Sequence, residues 1–143
     1  MFNTMAPPGG GAGKPTAALP PPSLAEVRKQ LLSAVIAERH CSPDLARHLE
    51  CLEKAHGDET QCVGVLDALG RCQARVYTTP TQLVGIYKEA DGRPECESER
   101  VAVRRCRDKY RDDPMAHCAG DHIRLNVYGL RAIAGDLGLA MEE

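Results

Sequence analysis

Apolar residues recur along this chain at the three- and four-residue spacing of amphipathic helices. Leu24, Val27, Leu31 and Val35, flanked by Leu32 and Ile36, form the first such stripe. Ser23 and Glu26 open it with capping-box spacing, and it should end near Arg39 or His40. Ser42 then reads as an N-cap, with Pro43 at the first helical position and Asp44 in the first turn. This second helix should run to about Ala55 and stop at Gly57. Asp58 and Gln61 repeat the capping-box spacing and open a third segment that runs to about Val76. It carries Cys62, Val65, Leu66, Leu69, Cys72 and Val76 on one face. Two helices joined by so short a link predict an antiparallel helical hairpin.

The next stretch, "YTTPTQLVGIYKEADGRPE", reads as a link with a short helix around Gln82–Glu89, broken by Gly92 and Pro94. Pro94 opens a charged helix over about 95–110. Asp113 and Pro114 open another over about 115–133, with Gly135 as its stop. The predicted organisation is an extended arm (1–22), a helix (23–40), a hairpin (41–76), a linker (77–94), a second hairpin (95–134) and a tail (135–143). The arm is rich in Pro and Gly, and such segments lack a core of their own.

Composition changes the picture in one respect. Hydrophobic residues make up 43% of the 143, but aromatics only 3%, and there is no Trp. A core of small aliphatic residues in so short a chain calls for staples, and seven cysteines are available. A net charge of −2 gives no reason to expect nucleic-acid binding. The longest apolar run, "LLSAVIA", is far too short to span a membrane, so a soluble or peripheral protein is expected. The N-terminus lacks the basic and apolar regions of a secretory signal, and with one Lys and no Arg it is a poor matrix-targeting helix.

The cysteine positions select a pairing. Nine residues separate Cys41 from Cys51 and Cys62 from Cys72. Four cysteines allow three connectivities, but partners across an antiparallel hairpin share one midpoint. Cys41 with Cys72 and Cys51 with Cys62 both centre between His56 and Gly57, where the turn signals place the bend. Nested bridges Cys41–Cys72 and Cys51–Cys62 follow. In the second half Cys106 and Cys118 centre on Asp112, just before the Asp113-Pro114 turn. Cys96 shares that midpoint only with Tyr128, so one bridge, Cys106–Cys118, is expected and Cys96 is left unpaired.

Two C-x9-C segments on antiparallel helices resemble the twin C-x9-C, or coiled-coil-helix-coiled-coil-helix (CHCH), proteins of the mitochondrial intermembrane space. Residues 41–72 match at all four cysteines and 96–128 at three. The tandem is similar to the PGIV-type accessory subunit of respiratory complex I, which also has a helix ahead of the first cysteine and eleven residues between the inner cysteines of its second hairpin, as in "RDKYRDDPMAH". This chain departs from it in a longer link between Cys72 and Cys96, one missing cysteine and a short C-terminal extension. The resemblance implies an all-α protein of two disulfide-stapled hairpins, and oxidative folding by a Mia40-type oxidoreductase. It further implies a structural, non-enzymatic role without a cofactor, among other subunits of a respiratory complex and peripheral on the inner membrane. A cytochrome c oxidase assembly factor or metal carrier, and a mitochondrial ribosomal protein of the CHCH type, are the alternatives.

The remaining chemistry points elsewhere than catalysis. The cysteine spacing is not that of a zinc site, and no closely spaced pair suits redox or copper work. His117 and His122 flank Cys118, but they read as interface residues rather than metal ligands. His40, His48 and His56 read as helix-end or surface positions. "GGGAGK" lacks phosphate-loop spacing. The run "RVAVRRCRDKYR" reads as a solvated face compensated by Glu97, Glu99, Asp112 and Asp113, or else as a basic patch for an acidic partner or lipid headgroups.

Overall fold

The computed structural model describes residues 20–139. The "GGGAGK" stretch, most of the arm and the last four residues lie outside that range. The described residues form six α-helices and no strand. They are α1 (Leu24–His40), α2 (Ser42–Lys54), α3 (Val63–Tyr77), α4 (Pro80–Asp91), α5 (Glu97–Lys109) and α6 (Pro114–Asp136). One turn of 3-10 helix precedes α3 (Glu59–Cys62) and another precedes α5 (Pro94–Cys96). Two helical hairpins, α2–α3 and α5–α6, are each closed by disulfides.

The helix signals act locally, with shifts of one or a few residues. Ser23 caps α1 by accepting a hydrogen bond from the Glu26 N–H at 3.2 Å. Ser42, expected as the cap of α2, is instead its first residue, and Cys41 takes the cap position. The reason is that α1 runs straight into α2. The Cys41 N–H donates back to the carbonyls of Ile36 and Ala37, so one residue ends one helix and begins the next. At the hairpin tip Gly57 donates to the Leu52 carbonyl and His56 to that of Glu53, the two bonds of a Schellman ending. Both residues have positive φ, +53° at His56 and +86° at Gly57. The stop glycine therefore sits one place beyond its usual position, and a histidine takes the left-handed one. Asp58 caps the 3-10 turn through Thr60. Gln61 bonds the Asp58 carboxylate rather than its backbone, so the capping box is only half formed. These bonds hold the Asp58 carboxyl below the usual carboxylate range.

The segment read as a linker carries a full helix, Pro80–Asp91, longer than the one expected. Its Ile86 and Ala90 are buried in the main core. That core also takes Leu31, Leu32, Val35 and Ile36 from α1, Leu69, Cys72 and Val76 from α3, and Val127, Leu130, Ile133 and Ala134 from α6. The α1 stripe thus packs on the rest of the chain. At 23 residues, α6 is about 35 Å long. It passes through Gly135, the expected stop, and ends at Gly138, which has φ +75° and a second Schellman pair of bonds. One long helix therefore serves two neighbourhoods: its first half pairs with α5, its second half with α1 and α4.

The crossing of α4 and α6 is unusually close. A Cβ on Gly129 would stand 2.7 Å from the Ala90 Cα and closer still to the Ala90 carbonyl. Two polar contacts flank the crossing, one tying α1 to α4 and one tying the chain just past α4 to α6. Arg39 makes a bidentate ion pair with Glu89 at 2.7 and 2.8 Å, and Arg93 pairs with Asp136 at 2.6 Å. The Arg39 hydrogen bond holds the Glu89 carboxyl below its ordinary range.

Gly129→Ala forces two backbones apart and should cost about 3 kcal/mol, as overpacking does at its upper range. Gly70→Ala is the control, because Gly70 lies exposed in α3 with open space around its Cα. It should stabilise by about 0.5–1 kcal/mol through helix propensity and unfolded-state entropy. Urea unfolding of both variants checks the contrast, and equal effects would refute the close crossing.

Candidate functional site

Three disulfides join facing helices: Cys41–Cys72, Cys51–Cys62 and Cys106–Cys118, each with Cα atoms 5.9 Å apart. Helix axes normally lie about 8–10 Å apart, so a bridge of this span requires both cysteines to face the partner helix. Cys41–Cys72 closes the broad end of the first hairpin, buried within the main core. Cys51–Cys62 closes its tip, with Cys62 buried and Cys51 half-buried. Cys106–Cys118 holds the tip of the second hairpin, where Tyr110 also stacks on His117 with ring centroids 4.1 Å apart. In the chain-entropy model a tip bridge contributes about 3 kcal/mol and the wider loop somewhat more. Bridges of this kind form and persist in an oxidising compartment.

The two hairpins repeat each other at their cysteines. Cys41 is the N-cap residue of α2 and Cys96 the N-cap residue of α5, with similar backbone angles. Cys96 is a free thiol, fully buried beside Val103 and Leu125. Burial pushes that thiol up from its ordinary range, away from the reactive thiolate. Tyr128, at the register position opposite, is 44% exposed with the Arg131 guanidinium over its ring.

The histidines and charges depart from expectation in two places. His48 is half-buried rather than superficial, and its Nε2 is covered without a hydrogen-bond partner among the described residues. The apolar stripe of α2 draws it inward, since it lies between Leu45 and Leu52 on one helical face. The α5 charge run is not compensated by contact as expected. Only Arg100 pairs with one of the named acids, Glu97 at 2.7 Å. Asp113 instead caps α6 through the Ala116 N–H. Arg104, Arg105, Arg107 and Arg111 make no ion pair among the described residues. Cys118 is spent in its bridge, and no three His, Cys, Asp or Glu side chains converge as a metal-ligand set among the described residues.

Several organising residues gave no signal in the sequence. The Arg100 guanidinium donates to the carbonyls of Asp91 and Arg93 at 2.8 and 2.6 Å, satisfying the frayed end of α4. Arg28 donates to the Tyr87 hydroxyl at 2.8 Å and lies over its ring, tying α1 to α4. Asn126 bonds the Asp91 carboxylate, which burial pushes up despite that bond. All are contacts between different segments of the chain, and periodicity within one helix carries no record of them.

No helix among the described residues is long and apolar enough to cross a membrane. Three bridged pairs in an all-helical chain are compatible with a CHCH-like fold. Compared with family models, curated proteins and solved structures, the chain finds no match.

The cysteine register makes two outcomes testable. Tyr128→Cys should form a fourth bridge to Cys96, abolishing the single titratable thiol and raising stability by about 4 kcal/mol. Non-reducing peptide mapping would identify the new link, and a persistent pair of free thiols would refute the repeat. Replacing both Cys51 and Cys62 by Ala should cost about 3 kcal/mol. The same change at Cys41 and Cys72 should cost more, because it also leaves a void in the core. Thermal melts in which the tip pair proves the more costly would overturn that order.

Proposed function

We propose that this protein is a non-catalytic structural accessory subunit of a mitochondrial respiratory complex. Complex I is preferred, with the chain on the intermembrane-space face and peripheral to the inner membrane. The observation that carries this reading is the pair of nested bridges across α2–α3, set nine residues from cysteine to cysteine along each helix. Its echo in α5–α6, one bridge at Cys106–Cys118 with Cys96 unpaired, supports the tandem form. Oxidative trapping by a Mia40-type oxidoreductase suits a chain whose fold depends on those bridges.

The role is that of a clamp. Bridged hairpins are rigid before they meet a partner, so docking them loses little conformational entropy. Apolar side chains remain uncovered along the first hairpin: Leu49 is 55% exposed, Val63 62% and Leu66 43%. Leu66 was expected on the buried face of α3. It lies toward the tip, beyond the reach of α1, which covers Leu69 and Val76. Such a surface suits coverage by neighbouring subunits.

Native-gel fractionation of detergent-solubilised mitochondria, read by mass spectrometry, tests the assignment. The chain should migrate with complex I and its assembly intermediates. Migration with the small ribosomal subunit, or with no large assembly, would sink it.

A further inference from the structure

We propose that the groove between α5 and α6 is a binding site for a phosphate group. The site does not depend on which assembly the protein joins. Arg100, Arg104 and Arg107 line it from one face of α5, at helical spacing, and His122 faces them from α6. Val103 and Leu125, both buried, form its apolar floor. Asp91 and Asp108 complete the lining of an open groove of about 480 Å³, within the range of small-ligand sites.

Three observations favour an anion here. First, α5 carries five cations against three carboxylates, in a chain whose net charge is −2. The helix is thus locally cationic. Second, Arg104 and Arg107 are without an ion-pair partner among the described residues, whereas Arg100 is already fixed by two carbonyls and Glu97. One guanidinium is thus a rigid wall and two are free to grip. Third, of the two carboxylates in the lining, Asp91 is already engaged by Asn126, and burial raises its pKa from the ordinary carboxylate value.

The ligand class follows from donor count. Guanidinium groups three residues apart on a helix are neighbours, and each presents a planar fork of N–H donors. Two forks and an imidazole exceed what one carboxylate accepts, but they match the oxygens of a phosphate. The apolar floor of Val103 and Leu125 also offers a seat for the carbon portion of a phosphate ester. A soluble phosphate ester and a lipid headgroup present the same oxygens, and the test separates the two sources.

Two probes are used on the full-length oxidised protein: inorganic phosphate, followed by NMR of the arginine Nε–H and His122 signals, and phosphatidylglycerol vesicles, followed by co-sedimentation. Binding of either probe supports the site if the R104Q/R107Q double variant weakens it by about tenfold or more, the loss expected for charge-assisted hydrogen bonds, while R105Q does not. Arg105 is exposed on α5 outside the groove. Vesicle binding identifies a lipid headgroup as the source; phosphate binding without it identifies a soluble ester. The proposal fails if neither probe binds, if the double variant binds as well as the parent, or if R105Q loses as much. It also fails if a glutamate-rich peptide takes the groove in preference to phosphate.

Discussion

Everything in the first half of this protein turns on the Cys41–Cys72 bridge. Cys41 is the single residue between α1 and α2, and its N–H is tied to the last turn of α1 while its sulfur is tied to α3. Three helix directions are therefore set at one buried point. Free rotation there would swing α1 away from α3 and open the main core. That core has no buried aromatic side chain among the described residues, so it gains little area per residue. A covalent joint at the place where three helices meet offsets that shortage by restricting the unfolded chain.

The second organising element is not covalent. Helix α6 packs against α1, α4 and α5, and can approach α4 so closely only because residue 129 has no side chain. Packing on α4 and α1 brings the second hairpin into the core that α3 also joins, where the cysteines alone would leave the hairpins as separate units. Local clamps and one long-range helix thus divide the labour. Disulfides hold each hairpin; Gly129 and Ala90 seat α6 on α4, and the Arg39–Glu89 pair ties α4 to α1, which leads into the first hairpin.

What was legible in the sequence reflects that division. Helix ends at Ser23, Gly57 and Asp113 are written in residues within a few positions of each other, because capping is a local bond. The bridge register is also legible, since antiparallel helices impose a shared midpoint. The helix at Pro80–Asp91 was half hidden by its glycine and flanking prolines, and its burial comes from α6, far along the chain. Gly129 looked like any helical glycine. Its role is set by Ala90, thirty-nine positions earlier, and spacing within one helix says nothing of such a partner. Likewise the acids around α5 looked like counter-ions in the sequence. In space one of them is a cap, one pairs with Arg100, and Arg104, Arg105 and Arg107 are left without an ion pair among the described residues.

This distribution bears on what the surface is available to do. A fold held by tertiary packing spends its apolar and charged side chains on its own interior and its own ion pairs. Here the hairpins are held by sulfur, and the tip of α2–α3 needs no apolar cover to stay closed. Leu49, Val63 and Leu66 can therefore face outward without loosening it. The same holds for α5. The Cys106–Cys118 bridge and the Val103–Leu125 contact keep it on α6, so Arg104 and Arg107 are not required for folding. Stapling the scaffold leaves two chemically different faces uncommitted, one apolar and one cationic. They lie on different hairpins, so a partner covering the first leaves the second open to a separate ligand.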